Sequence, residues 1–295
     1  MKNWIGLLLL AITFISCEKT INLQPDDQAP KLVVDAQIET GQAPLVVLSS
    51  SLNYFSTLSS SLLANSFVRN AKVIITDGVK THQLREYNII NGGITYYFYS
   101  NDFTNPATAI IGQNGKKYTM TIEVGGQTYS STTNIPFHTK KIDSIWWKKA
   151  PVNLDTTFAI VMAKITDPPG LGNYIRYFTN DGINKQYLPG GNSVFDDQVI
   201  DGKTYEIPVT AGVDRNRPPS SNDSSGYFLR GDTVTIKFTN IDKTSFEFWN
   251  TWEFAFQSIG NPFSAPIKIK SNISNNALGG FCGYATQFKT VIIPK

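Results

Sequence analysis

From Lys31 onward the chain alternates apolar and polar positions in short runs, cut at regular intervals by Gly, Pro, Asn and Asp. "KLVVDAQI" (31–38) and "PLVVLSS" (44–50) are β-branched runs separated by "ETGQA", which predicts a hairpin turning at Gly41. "AKVIITDG", "ITYYFYS", "KKYTMTIEV" and "QTYSSTTNI" follow with the same period of two. Gly125-Gly126 joins the last two, and a two-residue hairpin turn favours such a pair because both central residues take positive φ. In "ITYYFYS", Tyr97 and Tyr99 fall on one face and Tyr96 and Phe98 on the other, the pattern of a strand covered on both sides. The Ser-rich stretch from Ser56 to Ser66 keeps no strand period and reads as a loop. Strands at this spacing over about a hundred residues predict an immunoglobulin-like β-sandwich spanning 31–136.

The second half, 137–295, opens with "KKIDSIWWKKA" and continues with "TFAIVMAKITD", "GNYIRYFTND", "KTYEIPV" and "GDTVTIKFTNI". Asp-Pro-Pro-Gly, Pro-Gly-Gly and Arg-Pro-Pro-Ser between them are chain-reversal sequences. Together they predict a second antiparallel β-sandwich. One segment departs from the period of two. "DKTSFEFWNTWEFAFQSIG" (242–260) sets Phe248, Trp249, Trp252, Ala255, Phe256 and Ile259 on one helical stripe, with Asp242 as cap and Gly260-Asn261-Pro262 as stop. The expected fold is therefore mainly β, two sandwiches in tandem, the second carrying one amphipathic helix packed as core.

The first thirty residues follow neither pattern. Lys2 precedes an apolar stretch from Trp4 to Ile15, too short for the roughly 20 residues of a spanning helix and matched to a secretory leader. Phe14-Ile15-Ser16 before Cys17 resembles the lipobox of bacterial lipoproteins, with Phe14 where leucine is usual. The expectation is a signal peptide over 1–16, lipidation of Cys17, and a polar linker over 17–30 that leashes the body to a membrane. The competing expectation is an ordinary leader with an incidental cysteine.

Composition narrows the function classes. The chain is 41% hydrophobic, 12% aromatic and 17% charged, enough apolar material for a large core and unlike a disordered segment. Net charge is +3 and falls to +2 once Lys2 leaves with the leader, too little to draw nucleic acid or anionic lipid. Cysteines occur only at 17 and 282, so acylation of Cys17 leaves Cys282 a lone thiol, expected as a small buried hydrophobe within "GGFCGYA". Histidine occurs only at 82 and 138, outside any metal-ligand pair. Walker loop, dinucleotide fingerprint, G-x-S-x-G elbow and Cys-x-x-Cys are all missing from the sequence, so the expected role is not enzymatic.

Three stretches carry candidate chemistry. "FDDQVIDG" gathers Asp196, Asp197 and Asp201, an oxygen-rich loop whose candidate ion is calcium, although its spacing misses the EF-hand pattern and a solvated acidic turn explains it as well. Otherwise no cofactor is expected. Trp146 and Trp147 between lysine pairs offer an indole for stacking a ligand, or a contact at the domain boundary. Arg215 and Arg217 in "DRNRPPSSNDSSG" could clamp a carboxylate or phosphate, against the plainer reading of a surface loop. Asp167 in "TDPPGLGN" is expected to cap a Pro-Gly turn.

Read in order, the lipobox, "KLVVDAQIETGQAPLVVLSSSLNYF", "NAKVIITDG", "FDDQVIDGKTYEIPV", "GDTVTIKFTNIDKTSFEFW" and "NPFSAPIKIKSNISNNALGGFCGYA" resemble the Bacteroidota lipoprotein family called domain of unknown function 4249. The resemblance implies an outer-membrane lipoprotein, often encoded beside a TonB-dependent receptor, and the charged Glu18 and Lys19 after the cysteine favour the cell surface over the periplasmic face. It supplies no catalytic residues. The function expected from residues and resemblance together is a lipid-anchored binding or accessory protein that captures a small-molecule, peptide or glycan ligand for such a receptor. The alternatives are an extracytoplasmic hydrolase and a structural envelope protein.

Overall fold

The computed structural model describes residues 29–295 apart from 54, 55, 58, 152, 153, 155, 184, 185, 217–225, 262 and 266. The leader, Cys17 and Arg217 lie outside the described residues. The protein is mainly β, and its strands run β1 (Leu32–Glu39), β2 (Leu45–Ser50), β3 (Lys72–Thr76), β4 (Thr81–Gln83), β5 (Arg85–Asn91), β6 (Ile94–Ser100), β7 (Lys116–Val124) and β8 (Gln127–Ile135). They continue with β9 (Lys141–Lys149), β10 (Phe158–Thr166), β11 (Tyr174–Asn180), β12 (Leu188–Phe195), β13 (Thr204–Val209), β14 (Phe228–Leu229), β15 (Thr233–Ile241) and β16 (Leu278–Ile292). Helix α1 spans Ser60–Ser66 and α2 spans Lys243–Gln257.

An eight-stranded sheet, in the order β12-β11-β15-β16-β1-β2-β6-β5, passes through both halves of the chain. Two four-stranded sheets, β4-β3-β7-β8 and β13-β10-β14 with β9 on β10, cover it. Side-chain alternation along β16 shows how. Phe281 and Ala285 point into the first core with Val34, Ile38, Met120 and Ile122, while Ile236 and Phe238 of neighbouring β15 point from the same face into the second core with Ala163 and Ile165. Cys282 and Tyr284 point the other way and pack under α2. The large sheet thus carries two small sheets on one face and the helix on the other.

The expected break near residue 136 falls where the chain leaves β8 for β9, crossing from one small sheet to the next over the continuous large one. Hydrogen bonds hold that crossing down: Asn240 Oδ1 accepts from Lys140 N at 2.9 Å and its Nδ2 donates to Lys140 O at 2.9 Å. Strand β16 binds both halves, pairing parallel with β1 over Val33–Glu39 and antiparallel with β15. The purely antiparallel expectation fails at this one pair, because β16 is reached from α2 and enters the sheet beside β1 in the same direction. Its glycines permit the fit. A Cβ on Gly283 would meet Asn134 O at 2.4 Å, and one on Gly280 would meet the Phe248 ring at 2.9 Å.

Local expectations held where turn chemistry was explicit. Gly41 has φ 77° at the β1–β2 hairpin, and Gly125 and Gly126 take φ 58° and 73° between β7 and β8. Ser56–Ser66 is a correction: α1 forms there because Ser59 caps it, accepting a hydrogen bond from Leu62 N at 3.1 Å. The aromatic stripe of α2 is corrected in part. Asp242 does cap the helix, accepting from Ser245 N at 2.8 Å, and Phe248 is buried, but Phe256 and Ile259 are exposed. Glu253 is buried in their place, because Ser193 donates to it from both N and Oγ and Arg215 donates from Nη2 at 3.3 Å.

Candidate ligand cavity

The second sandwich stays open along one side, and its two edge strands explain why. β12 is the edge of the large sheet and β13 the edge of the small one. Each carries a proline, Pro189 and Pro208, which lacks the N–H needed to continue a ladder. The described ladders do not pair β12 with β13; the chain after β13 is tied to β12 where Val213 N donates to Pro189 O at 2.9 Å, and the space between the two sheets remains as a cavity of about 880 Å³. That lies within the roughly 300–1,000 Å³ of sites that enclose small molecules.

The walls follow from strand alternation. Ala163 and Ile165 of β10, Tyr205, Ile207 and Val209 of β13, Ile175 and Tyr177 of β11, and Ile236 and Phe238 of β15 all face inward. Small residues keep the space unfilled, Ala163 and Ala211 among them. At the mouth, Phe195, Val199 and Val213 are exposed apolar side chains, Val199 at 84%. The rim reaches Phe246 and Asn250 of α2.

Polar groups in the cavity are few. Tyr177 Oη and Thr210 Oγ1 lie 2.7 Å apart and tie β11 to the segment that follows β13. Gly190 makes room for this bond, since a Cβ there would sit 2.3 Å from Tyr177 Oη. Burial raises the Tyr177 phenol above its ordinary range and, with Asp167 adding to the effect, pushes Tyr205 up to about 12. Both are neutral hydrogen-bonding groups at physiological pH. Asn192 and Asn250 complete the neutral set, and Asp196 contributes a carboxylate.

Most of the residues singled out from sequence lie outside the cavity lining. Asp196 lines it. The carboxylates that converge are Asp167, Asp197 and Asp201, with Asp196 outside the group, so the expected trio is corrected at one position. Asp197 accepts from Asn173 N at 2.8 Å and Gly172 N at 3.1 Å, and Asp201 from Gly170 N at 2.7 Å. Burial opposes ionisation of Asp197, but these N–H donors outweigh it and hold its pKa below the usual range. Asp167 accepts from Gly202 N at 3.2 Å and forms a fully buried ion pair with Lys140 at 2.9 Å. The lysine ammonium thus supplies positive charge to the converging group through Asp167, a residue that was not in the trio expected from sequence.

Trp147 turns inward from β9 onto the second core, with the Arg230 guanidinium 5.1 Å from its ring, while Trp146 turns outward under Lys148. Neither lines the cavity. Arg215 lies half-buried against α2, donating to Gly190 O at 2.9 Å and pairing with Glu253, over the rings of Trp252 and Phe256. Its hydrogen bonds go to the protein itself. His82 is buried, its Nε2 accepting from Asp102 N at 2.8 Å and its Nδ1 facing Thr108 Oγ1 at 2.7 Å, so both ring nitrogens fasten loops.

The cavity residues Tyr177, Tyr205, Thr210 and Asn192 were not singled out from the sequence. Pro189-Gly190-Gly191, expected as a chain reversal, instead lies inside β12, and with Pro208 in "EIPV" it is the signal that could have found them, since proline within a strand marks a sheet edge. No characterised protein matches the sequence. The family model for the domain of unknown function (DUF4249) matches residues 18–290, and the chain belongs to that family.

Proposed function

We propose that this protein is a lipid-anchored, non-enzymatic binding protein of the outer-membrane surface, partnering a TonB-dependent receptor and holding an apolar small molecule between the sheets of its C-terminal half. The observation that carries the binding role is the cavity of about 880 Å³ with apolar walls and an apolar mouth. Apolar surface left open in a folded protein is unfavourable by about 25 cal/mol per Å² and is a mark of a site that something else covers. The neutral phenols and amides inside are suited to orienting a ligand, and Asp196 is the only carboxylate among the described lining residues. The anchor and the receptor partnership rest on the leader, on Cys17 and on the lipoprotein resemblance.

Titration of the purified protein with the neutral fluorescent probe N-phenyl-1-naphthylamine tests the binding role. Saturable enhancement is expected, and Ala211→Trp, which fills the cavity near its mouth, should abolish it. Equal binding by wild type and Ala211→Trp overturns the site. A mild-detergent pull-down from the native membrane, with intact-mass measurement of the bait, tests the remainder: an acylated chain with a receptor barrel is expected, and an unlipidated chain recovered alone contradicts it.

A further inference from the structure

The geometry points to a ligand with a cationic head, its apolar body between the two sheets and its charge at Asp196; this rests on the cavity being the binding site. Among the described lining residues Asp196 is the only charged side chain. It stands at the mouth, between Phe195, whose ring stacks on Tyr177 at 6.2 Å, and the apolar pair Val199 and Ile200. It is half-buried, and its one hydrogen bond among the described residues is a long 3.4 Å contact from Gln198 N. A carboxylate so placed, beside apolar walls and without an ion partner among the described residues, favours a cation at the mouth and opposes an anion.

Among the described residues the neighbouring charges leave that preference in place. Lys140 is committed to Asp167, fully buried behind the loop that carries the acidic residues. Arg215 is committed to Glu253 and to the Gly190 and Gly191 carbonyls on the helix side of β12. Asp197 and Asp201 lie in the same loop as Asp196 and add negative charge near it. Tyr174 registers this field: its phenol is raised first by burial and then by Asp197 and Asp196. A fatty carboxylate of the same length would bring its charge to the wrong partner.

Displacement of bound N-phenyl-1-naphthylamine by dodecylamine and by laurate, at neutral pH and below their micelle concentrations, separates the two head groups on one tail. Dodecylamine is expected to displace the probe at a concentration at least about tenfold lower than laurate. Asp196→Asn should bring the two within about twofold, and in wild type the preference should shrink as salt rises. Should the variant fail to fold, the wild-type salt series stands alone as the check. Laurate matching dodecylamine in wild type, a ratio unmoved by Asp196→Asn, or a preference indifferent to salt overturns the cationic head while leaving the cavity as a binding site. Failure of the probe to bind at all removes the binding role itself.

Discussion

Tyr177 Oη and Thr210 Oγ1 meet at 2.7 Å, joining the large sheet to the end of the small sheet's edge strand across the open side of the second sandwich. The contact depends on a third residue, because only a glycine at 190 lets the Tyr177 hydroxyl reach so close to β12. Tyr177→Phe should cost about 1 kcal/mol for the lost hydrogen bond. Gly190→Ala should cost about 1–3 kcal/mol through overpacking. The double variant should be less destabilised than the sum, since removing the hydroxyl removes the nearest of the atoms that the new methyl strikes, leaving Thr210 Oγ1 at 2.9 Å. Urea unfolding of the four proteins gives the coupling, and strict additivity would mean that the two residues do not constrain each other.

The Lys140–Asp167 pair is fully buried at 2.9 Å where the chain crosses between the small sheets. Lys140→Met leaves a carboxylate without its cation and should cost about 3–5 kcal/mol. Lys140→Met with Asp167→Asn should recover part of that loss. With the ammonium already at Asp167, calcium at about 1 mM is expected to leave the wild-type melting temperature unchanged. A calcium-dependent rise would instead assign the Asp167, Asp197 and Asp201 group an ion.

Cys282 is enclosed between β16 and α2, and burial pushes its thiol up to about 12. In a Cys17→Ser chain, a thiol reagent at neutral pH should label nothing while the protein is folded and one group after guanidinium unfolding. Rapid labelling of the folded chain would place α2 off the sheet.

Asp77 and Lys116 form an ion pair at 2.9 Å, and the lysine hydrogen bond, helped by the N–H groups of Lys80 and Val79, holds the Asp77 pKa down at about 2. A depressed pKa stabilises the fold above the ordinary carboxylate value of 3.8, and that contribution disappears as pH falls through about 2. Lys116→Met should therefore destabilise the protein at about pH 6 and have a much smaller effect near pH 2. Equal losses at both values would show that Lys116 acts through packing alone.

The strand content, the hairpin turns at Gly41 and at Gly125-Gly126, and the Asp242-capped helix were legible because each rests on neighbours in sequence. What stayed hidden depends on partners far along the chain. Glu253 looks like a solvent-facing position on α2 until Ser193 and Arg215, remote in sequence, are brought to it. Lys140 reads as one of a flanking basic pair, yet Asp167 makes it fully buried. The parallel seat of β16 beside β1 joins the ends of the described chain and has no local signature. The cavity was hidden for a related reason: its walls come from strands far apart in sequence, β10, β11, β13 and β15.

Isoleucine δ-methyl NMR spectra, recorded while N-phenyl-1-naphthylamine is added, locate a ligand directly, because isoleucines mark both cores and the surface. Binding between the sheets of the second sandwich should shift Ile165, Ile175, Ile207 and Ile236, which line the cavity, and leave Ile75 and Ile122 of the first core unmoved. Shifts confined to the exposed Ile89, Ile90 and Ile259, with the cavity methyls unchanged, would place binding on the outer surface and contradict the account.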